Sequence, residues 1–122
     1  MESKRTLVLG ATTNPNRYAY MAVNRLLENN YEVVPVGIKK GEVGGIKIEN
    51  DLEKIHEGIH TITLYLGPKN QLDYYDYILN TKPKRVIFNP GTFNVELVEL
   101  LKKNGIETVD ACTLVMLSAG TY

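Results

Sequence analysis

Five short apolar runs alternate with stretches of helical periodicity, and that alternation restricts the chain to one fold class. The runs are Thr6–Leu9, Glu32–Ile38, Thr61–Leu66, Arg85–Phe88 and Ile106–Val109. The first is continuously apolar rather than alternating, as a parallel strand buried on both faces must be. Between the runs, Tyr18–Asn29 carries Ala19, Ala22, Val23, Leu26 and Leu27 at helical spacing, with Asn29-Asn30 as its stop. Asn70–Asn80 places Leu72, Tyr75, Ile78 and Leu79 on one side and ends at Lys82-Pro83. Asn94–Asn104 turns Leu97, Val98, Leu100 and Leu101 inward and stops at Gly105. Leu114–Ala119 reads as a last short helix. Strands alternating with helices give an α/β class, a Rossmann-like, doubly wound parallel five-stranded sheet. The expected strand order is 3-2-1-4-5.

The segment between the second and third runs is less regular. Lys39–Ile48 has three glycines in five residues and reads as a loop, with Ile46 and Ile48 in a short extended piece. Asp51 is placed to cap a short helix from Leu52 to His56. Pro35, inside the second run, donates no ladder hydrogen bond, which suits a strand end, a bulge or a close approach.

Size and charge exclude several functions. A chain of 122 residues favours one domain, here residues 1–122. Fourteen basic and fourteen acidic residues cancel, so an extended nucleic-acid footprint, which needs excess Lys and Arg, is not expected. The single cysteine, Cys112, allows no internal disulfide and fits a reducing compartment. The first apolar run is too short for a signal-peptide core or a membrane span, so a cytoplasmic protein with no membrane partner is expected.

Ligands of such sheets sit beyond the carboxyl ends of the strands. Those ends carry Gly10–Arg17, Gly37-Ile38-Lys39-Lys40, Gly67-Pro68-Lys69, Asn89-Pro90-Gly91-Thr92 and Asp110-Ala111-Cys112. The first is the sharpest signal. Gly10 permits a tight turn, the small side chains of Ala11, Thr12 and Thr13 leave room for an anion, and a helix N-terminus follows Asn14 and Arg17. The chain has neither a G-x-x-x-x-G-K-[ST] loop nor a G-x-G-x-x-G fingerprint. An NAD site would call for an acidic residue at the end of the second strand. Lys39 and Lys40 stand there instead, which suits a nucleotide with an extra ribose phosphate, either NADP or coenzyme A. Arg17 offers a planar fork for a pyrophosphate.

Over nearly its whole length the sequence resembles the single-domain CoA-binding proteins related to the N-terminal domain of the succinyl-CoA synthetase α subunit. The resemblance is carried by VLGATTNPNRY (Val8–Tyr18), YEVVPVG (Tyr31–Gly37), Gly44-Gly45-Ile46, Leu66-Gly67-Pro68, FNPGTFN (Phe88–Asn94) and the late Cys112. It implies that Gly10–Asn14 and Arg17 face the CoA phosphates. It implies further that Pro35, Val36 and the loop through Gly37 and Lys39 line the adenosine side. Leu66, Gly67 and Pro68 would touch the middle of the ligand, and Asn89, Pro90 and Gly91 would lie near the pantetheine path. Two positions depart from the family pattern: Gly37-Ile38 stands where Asn-Pro is frequent, and Tyr18 where serine is frequent.

Other constellations point to less. His56 and His60 are spaced four apart, but Gly58 lies between them and no third metal ligand is evident. Cys112 reads more readily as a small core residue than as a thiol meeting that of CoA. Asp73–Tyr77 reads as a helix with half-buried tyrosines before it reads as a partner surface. The expectation is therefore a small CoA- or acyl-CoA-binding protein without catalytic machinery of its own, with a protein partner unidentified. The alternatives are an NADP-dependent oxidoreductase or a regulatory interaction domain with a vestigial nucleotide cleft.

Overall fold

The computed structural model describes residues 4–122. Its elements run β1 (Thr6–Leu9), α1 (Tyr18–Glu28), β2 (Val33–Val36), β3 (Glu42–Val43), β4 (Ile46–Lys47) and β5 (Thr61–Leu64). After two 3-10 turns, Pro68–Asn70 and Leu72–Tyr74, come α2 (Tyr75–Thr81), β6 (Arg85–Phe88), α3 (Val95–Lys103), β7 (Glu107–Asp110) and α4 (Thr113–Ala119). Strands β2-β1-β5-β6-β7 form a five-stranded sheet in that order, and every pairing is parallel. The α/β, Rossmann-like class read from the sequence is therefore correct.

The strand order is not the one expected. Counting only the five strands of the main sheet it is 2-1-3-4-5, because Thr61–Leu64 pairs with β1 instead of lying outside β2. This is the second common doubly wound order. Pro35 supplies a physical reason. In the order 3-2-1-4-5, β2 would be flanked on both sides and would need donors facing both neighbours. As an edge strand it tolerates the missing N–H. On its outer side, at the carboxyl end, Glu49 bridges to Val36, donates from its amide to the Pro35 carbonyl (2.9 Å) and accepts from the Gly37 amide (3.1 Å).

The sheet separates two apolar layers. Leu7 and Leu9 point to a layer with Ile62, Leu64, Val86 and Phe88, covered by Tyr77 and Ile78 of α2 and Leu97 and Leu101 of α3. Val8 and Ile87 point to the other, covered by Ala19, Val23 and Leu26 of α1 with Met116 and Leu117 of α4. Complete burial of leucines such as Leu26, Leu97 and Leu101 contributes roughly 1.5–3 kcal/mol each. Asn94 caps α3 by accepting from the amides of Glu96 (3.1 Å) and Leu97 (3.5 Å), and Lys102 and Lys103 sit at the negative end of the helix dipole.

Two helical expectations fail. Leu52–His56 forms no helix; Asp51 Oδ1 accepts from the Glu53 amide (2.9 Å), but only a single turn results. So short a segment does not sustain a helix without strong packing, and Ile55 remains exposed. The Asn70–Asn80 helix begins only at Tyr75. Gln71 is drawn wholly inside the protein, the chain around it is held in 3-10 turns, and Leu72 faces outward. The short extended piece expected around Ile46 is the β3–β4 hairpin.

Candidate functional site at the carboxyl rim

The register levels the strand ends. Leu9 lies opposite both Val36 and Leu64, Leu64 opposite Phe88, and Phe88 opposite Asp110. The next residue of each strand, in spatial order Gly37, Gly10, Tyr65, Asn89 and Ala111, therefore emerges at one height. The connection from β1 to β2 runs over one face through α1, and those from β5 onward run over the other through α2 and α3. The switch point thus falls between β1 and β5, where the sheet opens a crevice for a ligand.

The loop after β1 is built by close approach. Gly10 holds φ +98°, and a Cβ there would stand 3.2 Å from the Tyr65 carbonyl carbon and from Leu66 Cδ2. The amides of Gly10 (2.9 Å) and Ala11 (3.0 Å) both donate to the Val36 carbonyl. They are committed to the protein, so any anion held by this loop must be met from Thr12 onward. Asn14 folds the remainder: its Oδ1 accepts from the Asn16 amide (3.0 Å) and its carbonyl from the Arg17 amide (3.1 Å). Ala11 is buried, Thr12 half-buried, and Thr13 through Arg17 exposed.

The end of β2 is pressed against that loop. A Cβ on Gly37 would lie 2.8 Å from the Ala11 carbonyl oxygen, and one on Gly41 would lie 2.8 Å from Thr13 Cγ2. Pro35 and Val36 are buried in β2, whereas Lys39 and Lys40 are exposed and form no ion pair among the described residues. Asn50 pins this loop through Nδ2, which donates to the carbonyls of Gly37 (2.6 Å) and Lys39 (3.0 Å). The sequence gives no warning of that role; only its neighbour Asp51 carries a reading there, as the cap of a short helix.

The third and fourth rim segments are tied together from beneath. Gln71 Nε2 donates to the carbonyls of Leu66 (2.8 Å) and Thr92 (2.7 Å), and its Oε1 accepts from Asn94 Nδ2 (2.9 Å). Leu66 and Gly67 are half-buried and Pro68 exposed. Asn89 is only 2% exposed. Its Nδ2 donates to Thr63 Oγ1 (2.7 Å) and the Leu64 carbonyl (2.9 Å), while its Oδ1 accepts from the Thr113 amide (2.9 Å). The Asn89 side chain is thus spent inside the protein, and Pro90 and Gly91 form the exposed part of that segment. A cavity of about 400 Å³ beside β2 touches the rim only through Pro35.

Tyr65 lies at the switch point. Its hydroxyl is enclosed, with no well-formed hydrogen bond among the described residues; burial pushes its ionisation up to about 12, and the nearby Thr63 and Thr113 hydroxyls pull the other way. Burial does the same to Tyr77, also to about 12. Folded protein keeps these protons when an unfolded chain, with phenols near 10.0, has begun to lose them. Their contribution to stability is therefore complete below pH 10 and is lost as the pH rises toward 12. Phenolate absorbance of the native protein should keep rising to about pH 12, and Tyr65→Phe should remove part of that late step. A titration of native Tyr65→Phe indistinguishable from the parent would contradict the enclosed phenol.

Other ionisable groups are dispersed. Asp110 and the half-buried Cys112 mark the end of β7. His60 precedes β5 at the opposite end of the sheet, and His56 lies 3.6 Å from Glu49 outside β2. Among the described residues no group of three or more His, Cys, Asp or Glu side chains could hold a metal ion, and no helix is long and apolar enough to cross a membrane.

The sheet is Rossmann-like, and its small-residue loops converge on one switch point. Residues 4–118 match the CoA binding domain family, and the chain belongs to that family. It is 59% identical to an uncharacterized protein of known crystal structure, with a TM-score of 0.96 and full coverage of both chains. It is 25% identical over 111 residues to the uncharacterized protein YneT of Bacillus subtilis (strain 168), covering 90% of this chain and 82% of YneT. The fold also recurs in the dinucleotide-forming acetyl-coenzyme A synthetase 1 of Ca. Korarchaeum cryptofilum. There the TM-score is 0.75 at 15% identity, over 89% of this chain and 26% of the synthetase.

Proposed function

We propose that the chain binds coenzyme A, free or acylated, across the carboxyl rim and acts as a binding module without catalytic machinery of its own. The ligand's 3′-phosphate lies over Lys39 and Lys40. Its pyrophosphate meets Thr12, Thr13, Asn14 and Arg17, and its adenosine packs by Pro35, Val36 and Gly37. The pantetheine arm passes Leu66, Gly67 and Pro68 toward Pro90 and Gly91. One observation carries this reading: Lys39 and Lys40, which form no ion pair among the described residues, belong to the segment that Gly37 and Gly41 press against Ala11 and Thr13, so two exposed cations stand beside the loop that follows β1. Membership of the CoA binding domain family supports the choice of coenzyme A over NADP.

Thermal stability with about 1 mM CoA, dephospho-CoA, NADP or NAD tests the reading. A native-state ligand at a hundredfold excess over Kd stabilises by roughly 2.7 kcal/mol, on the order of ten degrees for a chain of this size. CoA should give the largest shift, dephospho-CoA less, and NAD none. A larger shift with NADP than with CoA would overturn the assignment in favour of an oxidoreductase, and no shift at all would favour a vestigial cleft. Lys39→Glu combined with Lys40→Glu should weaken CoA binding by about tenfold to a hundredfold at low salt, and the gap should narrow in high salt. An unchanged affinity at low salt removes the lysines from the site.

A further inference from the structure

Three of the four helices are seated by apolar side chains that the protein encloses: Ala19, Ala22, Val23 and Leu26 in α1, Tyr77 and Ile78 in α2, Leu97 and Leu101 in α3. In α4 the buried residue is Thr113, which is polar. Met116 and Leu117 are half-buried in the layer that also holds Tyr65, Leu114 is half-buried, and Val115, Ser118 and Ala119 are exposed. So little enclosed apolar area does not hold a seven-residue helix in place. Its ends do. At the rim, Thr113 donates from its amide to Asn89 Oδ1 (2.9 Å), and its hydroxyl shares a hydrogen bond with Thr63 Oγ1 (2.8 Å). Beyond the far end, where Gly120 ends the helix at φ +73°, Tyr122 is only 7% exposed. Its hydroxyl shares a hydrogen bond with Thr6 Oγ1 (2.5 Å), and its main-chain oxygen accepts from Lys4 Nζ (2.5 Å). Its ring meets Tyr31 edge-on at 5.0 Å and lies 4.6 Å from the guanidinium carbon of buried Arg85, where the absence of water strengthens the attraction.

We propose that α4 and the segment to Tyr122 form a strap that opens as one unit while the five-stranded sheet stays folded, with Tyr122 as its latch. Opening draws Thr113 away from Asn89, so the fourth rim segment loses one of the bonds that fix it. It also lays bare the half-buried Cys112 thiol, where the strap begins, and the Tyr65 side chain packed beneath. The closed strap is the state in which the carboxyl rim is fully braced, whichever ligand the rim takes.

The test is native-state hydrogen exchange of the full chain in low urea, with alkylation of Cys112 by iodoacetamide as a second readout. The amides of Thr113, Met116 and Thr121 are bonded to Asn89, Cys112 and Met116. They should exchange about a hundredfold or more faster than those of Leu26 and Leu101, with a shallow dependence on urea, because they open locally and the others only globally. Tyr122→Ala should speed alkylation about tenfold or more, and Tyr122→Phe, which keeps the ring over Arg85 and loses only the hydroxyl, should speed it by less. Ile78→Val in α2 lowers global stability without touching the strap. It should therefore speed exchange at Leu26 and Leu101 several-fold and leave alkylation unchanged. Strap amides exchanging at the rate and urea slope of Leu26 and Leu101, alkylation indifferent to both Tyr122 variants, or alkylation that rises with Ile78→Val would each overturn the proposal.

Discussion

Replacement of Asn89 by alanine is expected to lower stability by about 3–5 kcal/mol, among the largest effects a single change outside the apolar core can have. The Asn89 amide group joins β5, β6 and the start of α4 by two donated bonds and one accepted bond, all buried. Truncation leaves the Leu64 carbonyl and the Thr113 amide without partners, and each such orphan costs about 1–3 kcal/mol. For a chain of this length the midpoint of thermal unfolding should fall by roughly 10–20 degrees. Asn89→Asp keeps the acceptor for the Thr113 amide but turns a donor into a carboxylate facing the Leu64 carbonyl, so it should not rescue. Urea unfolding of both variants provides the measurement. A loss below about 1 kcal/mol for alanine would mean that water replaces the side chain at little cost.

Gly37→Ala is the second large effect, and it acts on stability and ligand binding together. Its added methyl would sit 2.8 Å from the Ala11 carbonyl oxygen and 3.1 Å from the Ala11 nitrogen, both backbone atoms that cannot swing aside. Relief requires the loop after β1 to part from β2, which strains the bonds from the Gly10 and Ala11 amides to the Val36 carbonyl. Overpacking of this kind costs about 1–3 kcal/mol, and a displaced anion loop should weaken CoA binding by more than tenfold. Gly67→Ala is the matched control, since a Cβ there meets nothing within 4 Å. It should leave stability almost unchanged and lower CoA affinity only if the ligand passes over that residue. Equal, small effects on CoA affinity from both substitutions would separate the Gly37 contact from ligand binding.

The parts of this fold that are legible in the sequence are those set by local pattern. The apolar runs give all five strands of the main sheet to within a few residues, and Ala19 through Leu27 give α1. Asn94 and Gly105 bracket α3 because capping chemistry is local. The strand order needed one more inference. Pro35 already argued against a strand flanked on both sides, and the edge position of β2 follows from it. The polar ties Asn50 to Gly37, Gln71 to Thr92 and Asn89 to Thr113 were not legible. Each joins residues 13 to 24 positions apart that only the folded sheet brings together. The loops of the candidate site could be named from their glycines and lysines, whereas the side chains that hold those loops in place could not.

The edge position of Pro35 also bears on how copies of this chain meet. On the β2 side Pro35 offers no amide and its carbonyl is already occupied by Glu49, so a second molecule finds little to pair with at that level. On the β7 side the strand is bounded by Glu107 and Asp110. Two such strands laid antiparallel in symmetric register would set Glu107 of one copy across from Asp110 of the other, a like-charge pairing that opposes association. The sheet is thus guarded against edge-to-edge growth by a missing donor on one flank and by carboxylate repulsion on the other.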